Sequence, residues 1–427
     1  MSIARPAALA AALLFVVSAL SGCSGSGSAS NEKVHIRFVN LVVDQATLGV
    51  TLDDKAAASA VAFQGATDYV DFASDTYDAE VIGSAGSVLS TYSAALGQKH
   101  YTTYYYGVGA ALGLVTVDDE PFTVSDGKFV VRALLLSPVL PGFDVYLTTA
   151  DTDLSTVNPT LYATASGSAG SYTSEMTSGT WRLRLTPSGA KTVVFDTTQE
   201  FAAKSVTTLA IHSVGSAQLP TVLRMPQAEG GTPVLLPSTL ARVRAVFGTP
   251  DATASRLTVD GATTFQSVPF GGITNFVAVT AGSKTIAVAA DGAAGSYASL
   301  TTTLVPGHDY TLVTRGQTAA AGLLVFDENA TEATATGTAN ARFVNATLDQ
   351  AAVDVVVNYQ ALLSALGAGN RSTMQALTAT SYPLSYYASN GSLLATQTTD
   401  ELVAGGDYRF LLVGAAGQYL AVGMRND

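Results

Sequence analysis

The chain has 427 residues, of which 48% are hydrophobic and only 13% are charged. This length suits three or four domains, and the apolar content excludes an intrinsically disordered chain. The formal net charge is −12, and the sequence contains no dense Lys/Arg cluster that would reverse this sign locally, so nucleic acid is not an expected partner.

The N-terminal segment has the pattern of an export signal. Arg5 precedes an almost wholly apolar run over residues 7–20, which is too short to predict a transmembrane helix. Residues 1–22 are therefore predicted to be a signal peptide. The run ends in Leu20-Ser21-Gly22-Cys23, which resembles the lipobox of bacterial lipoproteins.

The lipobox resemblance implies cleavage between Gly22 and Cys23, followed by acylation of Cys23 with chains such as palmitate. Cys23 is the only cysteine, so an intramolecular disulfide is excluded. Two or more acyl chains would hold the protein at a membrane, and Ser24 in place of Asp favours the outer membrane. Residues 23–33 then form the lipidated cysteine and a flexible tether. An ordinary signal peptide with a chance cysteine is the alternative.

Four later segments open alike, with a short apolar strand that carries an arginine. These repeat arginines are Arg37, Arg132, Arg244 and Arg342. Three of the four repeats place an aspartate seven residues after the arginine, and these loop aspartates are Asp44, Asp251 and Asp349. The spacing predicts four repeats, over residues 34–127, 128–237, 238–337 and 338–427.

Within each repeat, short segments with alternating apolar residues are separated by Gly, Asp and Ser turns, as in 78–81, 181–185 and 284–288. This period of two is typical of strands with one face in a core. We therefore predict an all-β protein with four tandem immunoglobulin-like β-sandwich domains. Residues 359–366 are the one segment after the tether whose pattern is compatible with one or two helical turns.

The best-defined repeat motifs are Arg244 with Thr249-Pro250-Asp251, and Arg342 with Asp349 and Val353-Asp354-Val355. In this order of arginine strand, aspartate loop and valine-rich strand, the chain resembles the domain-of-unknown-function family 4397 over nearly all of residues 34–427. The resemblance implies an exported, often repeated β-domain on bacterial surfaces. It implies no catalytic residues, because the family has no established activity.

The sequence contains no recognisable catalytic constellation. The histidines, His35, His100, His212 and His308, lie more than five residues apart, which excludes paired-ligand spacings such as HExxH. No nucleophile elbow, phosphate loop or dinucleotide fingerprint is present. We therefore predict no catalytic residue, no metal ligand and no cofactor, and we expect His100 and His308 to be solvated turn residues.

Two sets of charged residues have competing interpretations. The repeat arginines are expected to be structural, pairing with the loop aspartates or with backbone carbonyls, and the alternative is a binding role. Grouped carboxylates are expected in solvated turns, although calcium between domains is an alternative. These groups are Asp53-Asp54, Asp118-Asp119-Glu120, Asp151 with Asp153, and Asp327-Glu328.

Tyrosines crowd two predicted strands, at Tyr101, Tyr104, Tyr105 and Tyr106 and at Tyr382, Tyr386 and Tyr387. Half-buried strand positions explain them, and an exposed aromatic platform is the alternative. The resulting hypothesis is a non-enzymatic, lipid-anchored cell-envelope protein. It would act as a structural, adhesion or binding module, with the membrane and an envelope polymer or surface protein as partners. The first rival is a carbohydrate- or ligand-binding module that uses exposed tyrosines, and the second is an enzyme with a site between domains.

Overall fold

The computed structural model describes residues 33–109, 111–119, 123–213, 219–328, 338–403 and 406–426. Strands make up 61% of the described residues, which contain two short 3-10 helices, Leu154–Thr156 and Thr318–Ala320, but no α-helix. The described strands belong to one compact unit, Lys33–Asp427. They form eight sheets, which pair as four sandwiches in tandem. The predicted fold class is therefore confirmed.

The first sandwich has eight strands, which are β1 (Lys33–Val42), β2 (Thr47–Leu52), β3 (Lys55–Ala62), β4 (Val70–Ala73), β5 (Asp75–Ile82), β6 (Val88–Leu96), β7 (His100–Val108) and β8 (Ala111–Asp118). One sheet has the order β4-β1-β7-β8 and the other β3-β2-β5-β6. The arginine strand β1 pairs in parallel with β7, so the sheet that contains Arg37 has a parallel pair at its centre.

The second sandwich is the most divergent, with a fifth strand in one sheet. Its strands are β9 (Lys128–Leu135), β10 (Phe143–Thr148), β11 (Leu161–Ala163), β12 (Met176–Thr177), β13 (Gly179–Pro187), β14 (Phe195–Phe201), β15 (Ser205–His212), β16 (Thr221–Pro226) and β17 (Val234–Leu235). The sheet orders are β12-β9-β15-β16-β17 and β11-β10-β13-β14. The arginine strand β9 again pairs in parallel, here with β15.

The third sandwich repeats the plan of the first. Its strands are β18 (Leu240–Gly248), β19 (Ser255–Val259), β20 (Ala262–Val268), β21 (Val277–Thr280), β22 (Gly282–Ala290), β23 (Ala298–Leu304), β24 (Asp309–Arg315) and β25 (Gly322–Asp327). The sheet orders are β21-β18-β24-β25 and β20-β19-β22-β23. The parallel pair at the centre is β18 with β24.

The fourth sandwich follows the same plan. Its strands are β26 (Thr338–Asn345), β27 (Ala352–Val357), β28 (Gln360–Gly367), β29 (Gln375–Thr378), β30 (Pro383–Ala388), β31 (Leu393–Thr398), β32 (Asp407–Ala415) and β33 (Gln418–Arg425). The sheet orders are β29-β26-β32-β33 and β28-β27-β30-β31, and β26 pairs in parallel with β32.

The helical interpretation of residues 359–366 is wrong, because residues 360–366 lie in strand β28 and Tyr359 lies in the turn before it. The turn before the strand has Asn358 at φ 51° and Tyr359 at φ 61°, the two positive values of a type I′ hairpin turn. Such a turn matches the right-handed twist of the flanking strands, so the chain continues as a hairpin. The β2–β3 hairpin uses Asp53 and Asp54 in the same way, at φ 46° and 60°.

Each arginine-bearing sheet is buried on both faces. In β1, Ile36 and Phe38 point into the core of the first sandwich, whereas Val39 and Leu41 point out of it. These outer side chains pack against the second sandwich in an apolar cluster of buried residues, namely Val39, Leu41, Tyr104, Tyr106, Val117, Leu134, Leu136, Ala210, Leu223 and Met225. The first two sandwiches therefore form a face-to-face pair, which we call the first pair.

The third and fourth sandwiches pack in the same way and form the second pair. Their shared cluster of buried residues consists of Val246, Val313, Val344, Ala346, Leu411, Val413 and Val422. Burial of such side chains is worth about 25 cal/mol per Å² of apolar surface removed from water, so each cluster stabilises its pair. In the part of the chain that the structure describes, no helix is long and apolar enough to cross a membrane.

Candidate functional site within the paired sandwiches

The repeat arginines lie on the outer faces of their strands, between the paired sandwiches. All four are buried, with between 1% and 6% of the residue exposed. Arg37 shares its face with Val39 and Leu41, because alternate residues of a strand point the same way. An arginine in this position must be fully hydrogen-bonded or ion-paired, since an unpaired buried charge is strongly destabilising.

Three of the repeat arginines use the same first partner, a threonine on the adjacent parallel strand. The Nε atom of Arg37 donates to Thr102 Oγ1 at 2.7 Å, and that of Arg132 donates to Thr208 Oγ1 at 2.8 Å. These residues are direct register partners across the parallel pairs. Arg244 repeats the contact with Thr311, at 3.0 Å. The fourth repeat differs, because Arg409 is the register partner of Arg342.

The same arginines also reach across to the other sandwich of their pair. Arg37 Nη1 donates to the Pro226 carbonyl at 2.8 Å, and Arg244 Nη1 donates to the Arg425 carbonyl at 2.9 Å. Both carbonyls belong to corresponding strands, β16 and β33. Burial lowers the pKa of Arg244 to about 10, an effect that the negative charge of Glu328 partly offsets. The two pairs are therefore built on the same plan.

A buried acid follows the last strand of each odd-numbered sandwich. Asp119 Oδ1 accepts from Arg132 Nη2 at 2.6 Å, and its Oδ2 lies 3.6 Å from Arg37 Nη2. Asp119 also accepts from Tyr69, at 2.9 Å, and from the Gln227 amide, at 2.7 Å. One carboxylate thus neutralises arginines from both sandwiches of the first pair.

Glu328 has the corresponding position in the second pair, and its hydrogen-bond partners are two arginines of the fourth sandwich. Its Oε2 accepts from Arg409 Nε at 2.8 Å and from Arg371 Nη1 at 3.0 Å. Burial lowers the pKa of Arg409, but attraction by Glu328 and hydrogen bonding to Asp407 outweigh this and raise it above its usual value. We call Asp119 and Glu328 the terminal acids. The expectation that these two carboxylates occupy solvated turns is wrong, since they are only 4% and 8% exposed.

Aromatic rings cover several of the buried guanidinium groups. The guanidinium carbon of Arg37 lies 4.7 Å from the centre of the Tyr69 ring, and that of Arg132 lies 4.8 Å from that of Tyr172. Phe276 covers Arg244 in the same way, at 4.6 Å. Burial raises the pKa of Tyr172 to about 12, an effect that the positive charge of Arg132 partly offsets.

Among the described residues, the loop aspartates accept hydrogen bonds from hairpin turns, and the repeat arginines have other partners. Asp44 Oδ1 accepts from the Gly109 amide at 2.7 Å, and Asp251 Oδ1 accepts from the Thr318 amide at 2.9 Å. Asp349 Oδ2 accepts from the Ala416 amide at 2.7 Å. In each of these three repeats, this contact holds the turn between the last two strands against the loop that follows the arginine strand.

One member of each remaining carboxylate group accepts a local hydrogen bond. Asp53 Oδ1 accepts from the Asp78 amide at 2.8 Å, and Asp153 Oδ1 accepts from the Ser155 amide at 2.8 Å. Glu120 lies outside the described residues, as do Gly22, Cys23 and the predicted signal peptide. Nothing in these contacts gathers carboxylates around a calcium position.

The tyrosines of the two predicted strands are mostly buried. Tyr104, Tyr105 and Tyr386 are at most 1% exposed, and Tyr106 is 8% exposed. The Tyr386 hydroxyl donates to the Phe410 carbonyl at 2.8 Å. Tyr101, Tyr382 and Tyr387 are half-buried. These tyrosines therefore lie in cores and interfaces or at half-buried positions, whereas the strongly exposed tyrosines of the described residues, Tyr162 at 60% and Tyr359 at 85%, lie outside the two predicted strands.

Two histidines that are far apart in sequence lie side by side. His35 and His100 are register partners in the parallel β1–β7 pair, and their rings stack at 4.3 Å between centroids. With Glu229 they form the one group of three potential metal-ligating residues among those described, with ligand atoms within 4.8 Å of one another. Spacing along the chain could not reveal this group, because a parallel pairing joins distant segments.

The remaining histidines lie in different surroundings. His212 is fully buried beside the first sandwich, where its ring meets that of Phe63 edge-on at 6.2 Å. Burial lowers the pKa of His212 to about 4. His308 lies directly before β24, at the turn position expected for it. Its Nδ1 atom lies 2.8 Å from Asp327 Oδ2.

A small cavity of about 200 Å³ lies where the second sandwich meets the third. Its lining includes Pro220, Leu235 and Leu240, together with Arg242, and contains no aspartate or glutamate. Arg242 forms an ion pair with Asp309. This cavity therefore offers no acid–base pair of the kind that hydrolytic enzymes use.

Comparison with known families identifies the repeats. The family described as "Domain of unknown function (DUF4397)" matches residues 34–146 and 241–356, which together make up more than half of the chain. The chain belongs to the DUF4397 family. Each matched region begins with the arginine strand of an odd-numbered sandwich and ends in the second strand of the next. Each DUF4397 region thus includes a terminal acid and the repeat arginines of both sandwiches in a pair.

Other comparisons add little to the family assignment. No curated protein matches the chain. Among solved structures, the chain is similar to one titled "The Bacillus anthracis TIE protein", at 9% identity and a TM-score of 0.15. The match covers 88% of this chain and 66% of that chain, so the chain spans just under two thirds of its length. A likeness at this level carries no argument about fold or function.

Proposed function

We propose that the protein is a non-enzymatic lipoprotein of the bacterial cell envelope, anchored through Cys23, whose paired sandwiches serve as a structural, adhesion or binding module. The observation that carries the proposal is that the conspicuous charged residues are buried in structural contacts. Three of the repeat arginines and both terminal acids are buried in contacts that join sandwiches, as described above. Groups engaged in this way support architecture and are withdrawn from acid–base chemistry.

The anchor is supported by the sequence before the first strand. Cys23 follows small residues and an apolar run, and it is the only cysteine. The first DUF4397 region starts at residue 34, so a tether of about ten residues separates the proposed lipid from the first strand, enough to span some tens of ångströms when extended. We propose the outer membrane as the location, on the grounds that Ser24 and not Asp follows the cysteine.

A ligand-binding role that uses the tyrosines selected from the sequence has less support. Tyr104, Tyr105 and Tyr386 are buried and cannot present a ring face to a sugar. The partner we propose is instead an envelope polymer or a surface protein that contacts the exposed faces of the sandwiches.

The anchor is tested by metabolic labelling of the full chain with an alkyne analogue of palmitate. We expect label in the wild-type protein and none in Cys23→Ser, with both proteins produced at similar levels. Signal peptidase II inhibition should leave the longer precursor uncleaved. Equal labelling of both proteins, or a wild-type protein released in soluble form without label, would contradict the proposal.

A further inference from the structure

The group of His35, His100 and Glu229 has no role in the architecture described above. We propose that these three residues bind one divalent transition-metal ion, such as Zn²⁺, which links the first sandwich to the second. His35 and His100 come from β1 and β7 of the first sandwich, and Glu229 comes from the connection between β16 and β17 of the second.

The geometry brings the three ligands close to coordination distance. One ligand atom from each residue lies within 4.8 Å of the other two. Around a tetrahedral Zn²⁺ with bonds of 2.0–2.1 Å, ligand atoms lie about 3.3 Å apart. Rotation of the side chains brings the ligand atoms from within 4.8 Å of one another to this shorter separation, since both imidazoles are half-buried and Glu229 is exposed. The stacked rings must turn from their interplanar angle of 12° to direct their nitrogen atoms at one ion.

A carboxylate already orients one of the imidazoles. Asp71 Oδ1 lies 2.8 Å from His35 Nδ1, and the other oxygen of Asp71 lies 2.7 Å from Lys33 Nζ. A proton held on Nδ1 by this carboxylate leaves Nε2 of His35 with a lone pair for the metal. Metal-ligating histidines in proteins usually have such a partner, which fixes the tautomer and makes the imidazole a stronger ligand.

Comparison among the repeats shows that the fold itself does not require these histidines. At the same register position, two residues before each repeat arginine, the second sandwich pairs Val130 with Val206. The third pairs Arg242 with Asp309, which are opposite charges. The first sandwich alone places two like bases there, and these repel each other when both are protonated. A bound metal ion makes this pair favourable, because it binds both imidazoles in their neutral form.

The donor set selects the class of ion. Two imidazoles and one carboxylate suit Zn²⁺, Ni²⁺ or Cu²⁺, whereas Ca²⁺ and Mg²⁺ prefer sites made of oxygen atoms. Three protein ligands leave at least one coordination position for water or for a ligand from a partner. The ion would lie close to the buried terminal acid Asp119. The His100 ring contacts the Tyr69 ring at 5.4 Å between centroids, and the Tyr69 hydroxyl donates to Asp119.

The proposal is tested with the purified full chain in detergent, carrying Cys23→Ser so that no thiol competes for metal. After removal of metal with a chelator, the protein is titrated with Co²⁺, whose visible absorption reports coordination, and then with Zn²⁺ by calorimetry. We expect one equivalent to bind and the melting temperature to rise with Zn²⁺. In His35→Gln and His100→Gln, the affinity should fall at least about 100-fold, and in Asp71→Asn about 10- to 100-fold.

His308→Gln is the matched control, because His308 also lies beside a carboxylate but belongs to the third sandwich. It should bind Zn²⁺ like the parent chain. Circular dichroism of the metal-free variants shows whether they are folded, and Glu229→Gln, which alters an exposed side chain, provides a variant that retains the fold. Absence of saturable binding in the parent chain would overturn the proposal. So would unchanged Zn²⁺ affinity in a folded His35→Gln/His100→Gln double variant, or in Glu229→Gln.

Discussion

At the scale of single residues, burial of the repeat arginines depends on a few exact partners. Asp119 serves two of these arginines and receives further hydrogen bonds from Tyr69 and Gln227. Replacing a buried ion cluster by apolar groups is often tolerated, but removing one member leaves an uncompensated charge. The terminal acid is therefore the most sensitive point of the first pair.

We predict that Asp119→Asn destabilises the first pair by about 3–5 kcal/mol, the usual cost of breaking a buried ion pair. The neighbouring Asp118 is the control. It forms its ion pair with Lys99 at the surface, where both side chains are more than 40% exposed, so Asp118→Asn should cost less than about 1 kcal/mol. Urea unfolding followed by tryptophan fluorescence compares the two variants. Equal effects would show that Asp119 does not hold the arginines in place.

His212 gives the first pair a dependence on pH. Its pKa is about 4 in the folded chain, because burial disfavours the charged ring, against 6.5 when exposed. Between these values the unfolded chain binds a proton that the folded chain does not, so stability falls as the pH is lowered from 6.5 to 4. One pKa unit corresponds to about 1.4 kcal/mol, so the loss should be on the order of 3 kcal/mol.

Comparing His212→Gln with the wild-type chain isolates this effect from the titration of other groups. The unfolding free energy of both proteins is measured at several pH values between 7 and 4. We expect the difference between the two curves to change by on the order of 3 kcal/mol in favour of the variant as the pH falls. Parallel curves over this range would mean that His212 is protonated equally in the folded and unfolded chains.

At the scale of strands and turns, the sequence predicts the elements better than their partners. Alternating apolar residues identify strands such as β13 and β22, because one face of each lies in a core. The pattern of the β28 segment does not distinguish it from a helix, because register shifts interrupt its pairing with β27 and its buried and exposed positions do not alternate. The hairpin depends on the positive φ values of Asn358 and Tyr359. Glycine is the usual second residue of such a turn, so a tyrosine there does not indicate a hairpin in the sequence.

The candidate site could be predicted only in part, because its contacts depend on which strands are neighbours. The repeat arginines are visible from their spacing, but their threonine partners lie 65 to 76 residues away on parallel strands. The same pairing brings His35 to His100. One signal was available, since Asp119 and Glu328 both follow the last strand of an odd-numbered repeat. That shared position suggests a common role. Because Asp118 and Asp327 directly precede the two acids, each group also has the pattern of an ordinary acidic turn.

At the scale of the whole compact unit, four sandwiches are organised as two pairs. A row of independent domains would expose the outer face of each arginine-bearing sheet, whereas here those faces form two further apolar clusters. Each DUF4397 match extends from one sandwich into the next and so follows this pairing. We therefore expect stability to be shared within a pair to a greater degree than between pairs.

The sharing of stability within a pair can be measured directly through the fluorescence of the single tryptophan, Trp181. Trp181 packs against the core of the second sandwich. Leu41→Ala removes a buried contact contributed by the first sandwich, and Leu411→Ala is the matched change in the second pair. Such substitutions typically cost 2–5 kcal/mol. In urea, Leu41→Ala should shift the Trp181 fluorescence transition to lower denaturant, and Leu411→Ala should leave it unchanged. A Trp181 transition that is the same in Leu41→Ala as in the wild-type chain would contradict the pairing of the sandwiches.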